Sequence, residues 1–225
     1  MIISTTTIIA GAVVVLLAVL GSLINPFLRS LRFQKTETAE NQPPVSILIT
    51  AHDNLAELER NLPMFLRQQY AADYQVIVVC QSTDGETQDF LKRTAAENPH
   101  LYYTYIPESS RYMSRKKLQI TLGVKAAKHE WIILTEPNCR PSNDKWLQTM
   151  VRQCQDPNHL VLGYVALDED TKSVRRFDSI RKAYYVLRRA QQTYGYRSHM
   201  PNVAFRKSDF MKEQGYQGNL EYVRG

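Results

Sequence analysis

The hydrophobic positions of this sequence fall into short apolar runs that alternate with longer stretches of helical spacing. The apolar runs have the length and composition of strands buried on both faces, and they lie at residues 45–49, 75–80, 101–106 and 131–134. The helical stretches lie at residues 55–69, 86–98, 118–128 and 145–154. Because strands and helices alternate with short connections, the sequence predicts an α/β fold with a mostly parallel sheet. Pro63 should bend or break the first of these helices.

After residue 155 the sequence predicts a strand at 160–167 and a helix at 174–192. The pattern of this helix has two interpretations. The helix carries an apolar stripe, and its other faces are rich in arginine and lysine. An apolar stripe with cationic flanks suits a helix that lies in a membrane interface. A helix that packs its stripe on the core and leaves its basic side in solvent fits the same pattern. The stripe consists of Val174, Phe177, Ile180, Tyr184 and Leu187.

The N-terminal segment predicts a single-pass membrane anchor at residues 2–24. It contains no charged residue, and its apolar part has about the length that a bilayer requires. Arg29, Arg32 and Lys35 follow it, and no basic residue precedes it, so the positive-inside rule places the rest of the chain in the cytoplasm. A cleaved signal peptide is the alternative. Residues 25–44 have the composition of a juxtamembrane linker, and residues 45–225 are the predicted domain.

The composition of the chain excludes few classes of binding partner. The 225 residues suit one domain with an accessory segment, and three scattered cysteines argue against a disulfide framework. The formal net charge of +6 is compatible with anionic lipid, a diphosphate-bearing substrate or nucleic acid. Aromatic residues do not interleave with lysine and arginine in the manner of a nucleic-acid interface, so we expect no nucleic-acid partner.

Candidate chemistry is concentrated where the strand at residues 131–134 ends. Glu136 and Asn138 follow this strand, with a proline between them. In an open α/β sheet, ligands bind at the carboxyl ends of the strands, so a carboxylate and an amide at this edge suit a ligand or a metal ion. An ordinary exit from a strand into a turn is the alternative interpretation.

Five motifs, in a fixed order, carry a resemblance to a known family. They are V-S-I-L-I-T-A-H-D-N at 45–54, V-V-C-Q-S-T-D at 78–84, two lysines before a small-residue helix at 116–127, E-P-N-C-R-P at 136–141 and N-V-A-F-R-K-S at 202–208. In this order they resemble the family 2 glycosyltransferases, whose catalytic domain has the GT-A fold. The resemblance implies a Rossmann-like sheet of GT-A type over residues 45–225.

This resemblance also implies an activity and a set of site residues. The expected reaction transfers a sugar, with inversion, from a nucleotide-diphosphate sugar to an acceptor hydroxyl of a glycan or a lipid-linked molecule, in cell-surface glycan synthesis. Mg²⁺ or Mn²⁺ is the implied cofactor, with Glu136 and Asn138 as its ligands. The residues expected to bind the nucleotide-sugar are Thr50, His52, Ser82, Asp84 and Lys117. For two of them there is an alternative interpretation: His52 as a surface histidine, and Lys117 as part of a solvated basic turn.

Departures from the family pattern leave a second hypothesis open. The usual D-x-D motif is Glu-x-Asn here, which removes one negative charge and should weaken metal binding. The position of the aspartate that usually binds the nucleobase of the donor is occupied here by Cys80 or Gln81. The acidic catalytic base is expected beyond Gly225, so the domain is expected to be C-terminally incomplete. The alternative is a non-catalytic GT-A-like domain that acts as a binding or assembly partner at the membrane.

Overall fold

The computed structural model describes residues 5–24, 42–52, 54–81, 85–106, 114–191 and 201–217. The chain divides into two units, Met1–Lys35 and Thr36–Gly225, and each is described by itself. The first unit contains helix α1 (Thr5–Ile24). By length and composition α1 can cross a membrane over Thr5–Leu23, and the apolar side chains of this span are exposed.

The second unit is built from six strands and six helices in its described part. The strands are β1 (Val45–Thr50), β2 (Tyr74–Gln81), β3 (Leu101–Ile106), β4 (Trp131–Thr135), β5 (Leu160–Leu162) and β6 (Val203–Arg206). The helices are α2 (Leu55–Leu66), α3 (Gly85–Glu97), α4 (Arg115–Ala126), α5 (Trp146–Val151), α6 (Ser173–Ala190) and α7 (Lys207–Lys212).

All six strands form one mixed sheet in the order β3-β2-β1-β4-β6-β5. The first four strands are parallel to one another, whereas β6 is antiparallel to both β4 and β5. The predicted α/β fold with a mostly parallel sheet is therefore confirmed. Each parallel connection contains a helix, because parallel neighbours need a crossover to return the chain to the starting edge.

Helices cover both faces of this sheet. Successive side chains of β1 point to opposite faces, and each face is covered by a different set of helices. Ile47 and Ile49 point to the face covered by α2, α3 and α5, whereas Leu48 points to the face covered by α4. All three side chains are almost completely buried. The apolar runs in the sequence are continuous rather than alternating because both sides of each central strand lie in a core.

Helices α2 and α4 and strand β5 depart from the boundaries predicted from sequence. Helix α4 begins at Arg115 rather than at residue 118, so three consecutive basic residues form its first turn. Helix α2 continues through Pro63 and ends at Leu66, and the predicted break within it is wrong. Strand β5 ends at Leu162 rather than at residue 167. In α2 the proline costs one hydrogen bond near the end of the helix, where the buried stripe still holds the helix against the sheet.

Strand β6 and helix α7 arise from the motif at residues 202–208. Val203 pairs with Leu134 and Arg206 pairs with Trp131, so the motif runs from the carboxyl end of β4 back to its amino end. At the amino end, the Arg206 guanidinium lies 4.9 Å from the centre of the Trp131 ring. The arginine of this motif therefore lies at the opposite edge of the sheet from Glu136, and only its first residue, Asn202, is near the Glu136 edge.

Candidate functional site

The reversal of strand order in the sheet lies between β1 and β4. The chain leaves β1 toward β2 on one side, and β4 returns to pair with β1 on the other. In open α/β sheets a crevice forms at the carboxyl ends of the two strands that flank such a reversal, and ligands bind there. Ile49 pairs with Thr135 in this register, so Thr50 and Glu136 come next on adjacent strands. Two of the predicted site residues thus meet at the switch point.

Helix α4 is held over this edge by a buried glutamine. Gln119 Nε2 donates hydrogen bonds to the carbonyl oxygens of Ala51, at 2.6 Å, and Val79, at 2.9 Å. These carbonyls belong to the carboxyl ends of β1 and β2. Gln119 is 4% exposed, so its amide replaces water as the partner of both carbonyls. The first turn of α4 is consequently fixed beside the ends of the strands.

Lys116, in that first turn, contacts Glu136. Its Nζ donates a hydrogen bond to Glu136 Oε1 and forms an ion pair with it. The two side chains are 58% and 33% exposed, so the pair is partly in contact with solvent. A pair with this exposure contributes at most about 1 kcal/mol of stability. The contact brings a cation and the predicted metal-binding carboxylate to one place at the switch point.

Lys117 lies in the same turn but faces in a different direction. Its residue is 6% exposed, and its Nζ lies 5.6 Å from the centre of the Tyr216 ring. A cation over the face of an aromatic ring is attracted by the ring quadrupole, more strongly when both groups are desolvated. Burial also raises the pKa of the Tyr216 hydroxyl, so this ring stays neutral. The solvated basic turn that was the alternative for Lys117 does not describe a side chain this deeply buried.

A buried asparagine of α2 fixes the turn after β4. Asn61 Nδ2 donates a hydrogen bond to the Pro137 carbonyl at 2.8 Å, and Asn61 is 1% exposed. The Cys139 amide donates to the Glu136 carbonyl at 3.0 Å, which closes the turn. Asn138 is exposed at the apex, and the Cys139 thiol lies 3.5 Å from its Oδ1. Burial raises the pKa of the Cys139 thiol, so at neutral pH it is a neutral donor rather than a thiolate ligand.

The chemistry of this donor set can be tested against Mg²⁺ or Mn²⁺. Glu136 and Asn138 supply one carboxylate and one amide oxygen, which are hard ligands of the right kind. The described residues contain no group of three His, Cys, Asp or Glu side chains that could hold a metal ion by themselves. Such a set fits a cation that is bound together with substrate phosphates and water, as Mg²⁺ usually is. It does not form a complete cage from protein ligands.

The remaining predicted residues have more varied outcomes. His52 is exposed just after β1, and its backbone amide donates to Asn54 Oδ1 at 2.9 Å. Ser82 and Asp84 lie outside the described residues. The roles of all these residues in binding remain predictions.

Sequence reasoning missed three residues that shape this site: Lys116 as the partner of Glu136, and the two buried amides Asn61 and Gln119. The double lysine in the motif pointed to the correct turn, although it singled out Lys117. No local signal identifies Asn61 or Gln119, because each acts through contacts with strands and turns distant in sequence.

Comparisons with known proteins identify the family of this chain and the fold it shares with solved structures. The family described as glycosyl transferase family 21 matches residues 8–181 of the 225. The resemblance to glycosyltransferases with the GT-A fold, inferred from the motifs, is confirmed by this match and by the structural neighbours below. No curated protein sequence matches the chain.

The solved structures with a similar fold include the following two. One is the mannosyltransferase PcManGT from Pyrobaculum calidifontis in complex with GDP-Man and Mn²⁺, with a TM-score of 0.64 and 19% identity. That similarity covers 92% of this chain and 58% of the mannosyltransferase, so the chain spans little more than half of that protein's length. The other is S. aureus TarS 1-349, with a TM-score of 0.51 and 11% identity, covering 76% of this chain and 49% of that one. At these identities, the similarity is one of fold.

Proposed function

The chain belongs to glycosyl transferase family 21, and from that premise we propose that it transfers a sugar from a nucleotide-diphosphate sugar to an acceptor hydroxyl. The proposed transfer inverts the anomeric centre. The acceptor oxygen attacks the anomeric carbon from the side opposite the diphosphate, the bond from that carbon to the phosphate oxygen breaks, and the hydroxyl proton passes to a base. Each of these steps gains from holding donor and acceptor in line.

One observation carries this proposal: a carboxylate and a cation meet at the switch point of the sheet. Thr50 ends β1, Glu136 follows β4, and Lys116 reaches Glu136 from the first turn of α4. A nucleotide-diphosphate sugar has a flat base, a ribose and a diphosphate that carries two negative charges, and the crevice at a switch point accepts such an extended ligand. The opposite edge, at Arg206, offers a guanidinium already paired with Asp156 Oδ1 at 2.6 Å.

The residues of this edge have distinct roles in the proposal. Thr50 and His52, with Ser82 and Asp84 beyond β2, contact the nucleotide. Lys116 neutralises the charge that develops on the leaving diphosphate, which lowers the barrier because charge is stabilised where it forms. Lys117, buried over the Tyr216 ring, adds positive potential at the same turn. Gln119 and Asn61 act indirectly, by fixing α4 and the turn after β4. The acidic base is expected outside the described residues.

A divalent cation would be held by Glu136 and Asn138 together with the diphosphate oxygens. Bound there, Mg²⁺ or Mn²⁺ would act as a Lewis acid on the leaving group. Because Lys116 contacts Glu136 in this structure, its ammonium and the cation would compete for the same carboxylate oxygen. The bound GDP-Man and Mn²⁺ of the Pyrobaculum mannosyltransferase support this part of the proposal.

The membrane setting of the reaction is also proposed. Helix α1 is long and apolar enough to act as a single-pass anchor, and the basic residues that follow it in sequence favour a cytoplasmic catalytic domain in the cell membrane. The proposal includes a glycan or lipid-linked acceptor at the membrane and a role in cell-surface glycan synthesis.

A thermal-shift experiment tests the proposal with little material. We expect UDP or GDP with Mn²⁺ to raise the melting temperature of the full chain in detergent, because ligands that bind only the folded state stabilise it. Glu136→Ala should lose the metal-dependent part of the shift. Glu130→Ala is the matched control, because its carboxylate bonds Ser208 at the opposite end of β4. Equal shifts in both variants, or no shift with any nucleoside diphosphate, would overturn the proposed site.

The same ion pair favours one alternative. A lysine that occupies the carboxylate of the metal motif is also what a non-catalytic GT-A-like domain would show, if it had become a binding or assembly partner at the membrane. Release of nucleoside diphosphate from a panel of nucleotide-sugars separates the two functions. A chain that binds a donor nucleotide but releases no diphosphate, with any metal, supports the alternative.

A further inference from the structure

Helix α6 exposes the apolar stripe that the sequence identified. Val174, Phe177 and Ile180 are 80%, 62% and 50% exposed, respectively. Among the 18 residues of α6, all of them described, Ala183 alone is buried. A core-packing helix would have buried its stripe, so this interpretation of α6 does not fit the second unit. Large exposed apolar side chains at helical spacing mark a surface that meets another apolar phase or partner.

The same helix holds most of the net charge of the protein. It contains six basic residues and one acidic residue, which give a net charge of +5, whereas the whole chain has +6. The single carboxylate, Asp178, is paired with Arg181 at 2.7 Å and Lys182 at 2.6 Å. A charge this concentrated raises the local potential and attracts an anionic surface rather than a neutral one.

Apolar and basic positions are arranged so that one surface can engage both. Phe177, Ile180 and Tyr184 lie along one side of the helix, and Arg176 and Arg188 flank this side. Long basic side chains can extend from such flanks to lipid phosphates while the apolar residues between them enter the acyl boundary. Each lysine or arginine near an anionic bilayer surface contributes about 1 kcal/mol of binding.

We propose that α6 is a second membrane contact, which lies in the interface of an anionic bilayer with its exposed stripe among the lipids. This inference rests on the proposed anchoring by α1, which places the domain at a membrane surface. Charge complementarity favours lipid over a protein partner. The loop before α6 is tied to the turn after β4 by the pair of Asp168 Oδ1 and Arg140 Nη2, at 3.0 Å. Contact of α6 with the bilayer would therefore bring the candidate site toward acceptors carried by lipid.

Spin-label accessibility on the full chain in vesicles tests this inference without any need for catalysis. Cys80 and Cys154 are buried, so replacing Cys139 with serine leaves an introduced cysteine as the reactive thiol. Nitroxides are placed at Ile180→Cys in α6, at Val14→Cys in α1 and at Ala56→Cys on the exposed side of α2. Vesicles contain phosphatidylcholine alone or with phosphatidylglycerol, and unchanged thermal melts confirm that each labelled chain is folded.

We expect the label at position 180 to become accessible to oxygen and shielded from a water-soluble nickel chelate when phosphatidylglycerol is present. The label at position 56 should remain accessible to nickel. The double variant Arg176→Gln and Arg188→Gln should reduce the shielding at 180 several-fold, whereas the matched loss of two charges on α3, Lys92→Gln and Arg93→Gln, should not.

Two results would overturn the inference. A label at 180 that is as accessible to nickel as the one at 56 shows that the stripe faces water. A label shielded from both oxygen and nickel, in either lipid, shows that protein covers the stripe. The label at Val14 reports separately on the anchor, so a failure of α6 to bind lipid is distinguishable from a failure of the proposed anchoring.

Discussion

Lys116 shows what a single side chain adds to the picture from sequence. Thr50 and Glu136 could be located from the strand pattern alone, because polar residues that follow buried strands collect at one edge of a parallel sheet. The partner of Glu136 could not be located from the strand pattern, because its identity depends on the rotation of α4 about the helix axis. Of the two lysines, Lys116 turns toward β4 and Lys117 turns inward to Tyr216. Adjacent helical positions point about 100° apart, so one position decides the role.

Replacing Lys116 with methionine should strengthen the binding of Mn²⁺ to the chain. The substitution frees Glu136 from its ion pair while keeping the aliphatic stem of the side chain. An exposed pair is worth at most about 1 kcal/mol, so the expected gain in affinity is at most about fivefold. Free Mn²⁺ measured by electron paramagnetic resonance gives the affinity.

Arg115→Met removes the neighbouring positive charge and keeps Lys116 as the partner of Glu136, so it is the matched control. A general change in electrostatic potential would affect both variants alike. Unchanged or weaker Mn²⁺ binding in Lys116→Met would contradict the idea that the ammonium and the metal share one carboxylate.

Helix α4 is the element that the site depends on most. The sequence predicted it, but placed its start three residues late, since three consecutive basic residues precede its first apolar position. Strand β6 was recognised only as a motif, because four residues paired antiparallel to β4 carry little periodic signal. Elements defined by their own hydrophobic pattern were predictable, whereas those defined by pairing with distant segments were not.

Gly123 sets the distance between α4 and the sheet. A Cβ added there would lie 2.1 Å from Leu48 Cδ1, which is itself fully buried in β1. We expect Gly123→Ala to lower the free energy of unfolding by about 1–3 kcal/mol, because an overpacked core must shift its neighbours. Because α4 carries Lys116 and Gln119, nucleotide binding should weaken as well. Urea denaturation measures the first effect.

Gly85→Ala is the control for helix propensity. A Cβ at Gly85, in the first turn of α3, meets no atom within 4 Å. Alanine there should be neutral or slightly stabilising, since it reduces the entropy of the unfolded chain. Equal destabilisation by both substitutions would show that α4 does not pack as closely on β1 as the structure indicates.

For the folded unit as a whole, stability should fall in mild acid because of His129. Burial lowers the pKa of its imidazole below the ordinary 6.5, against the opposing effect of Asp73. The unfolded chain then takes up a proton near pH 6.5 that the folded state resists. The contribution of this group to stability is present above pH 6.5 and is lost as the pH falls below that value.

The variant His129→Gln should show a smaller loss of unfolding free energy between neutral pH and the acidic range. Urea denaturation at a series of pH values measures the slope for both proteins. If the two slopes are the same, protonation of His129 is not the source of the acid sensitivity.

The parallel strands determine the architecture of the folded unit. They also support the central proposal, which is that a nucleotide-diphosphate binds between the ends of β1 and β4. The fold class and the edge that carries the site were both accessible from sequence, because strand polarity and order determine where loops converge. The exposure of the α6 stripe was not, since one pattern fits either a core or an interface.

Hydrogen exchange of the full chain, with and without UDP or GDP and Mn²⁺, tests this claim most directly. The account predicts slower exchange in peptides that cover residues 45–52, 114–120 and 133–140, and little change around Arg206 at the opposite edge. Protection confined to the Arg206 edge, or no protection with either nucleotide, would contradict it.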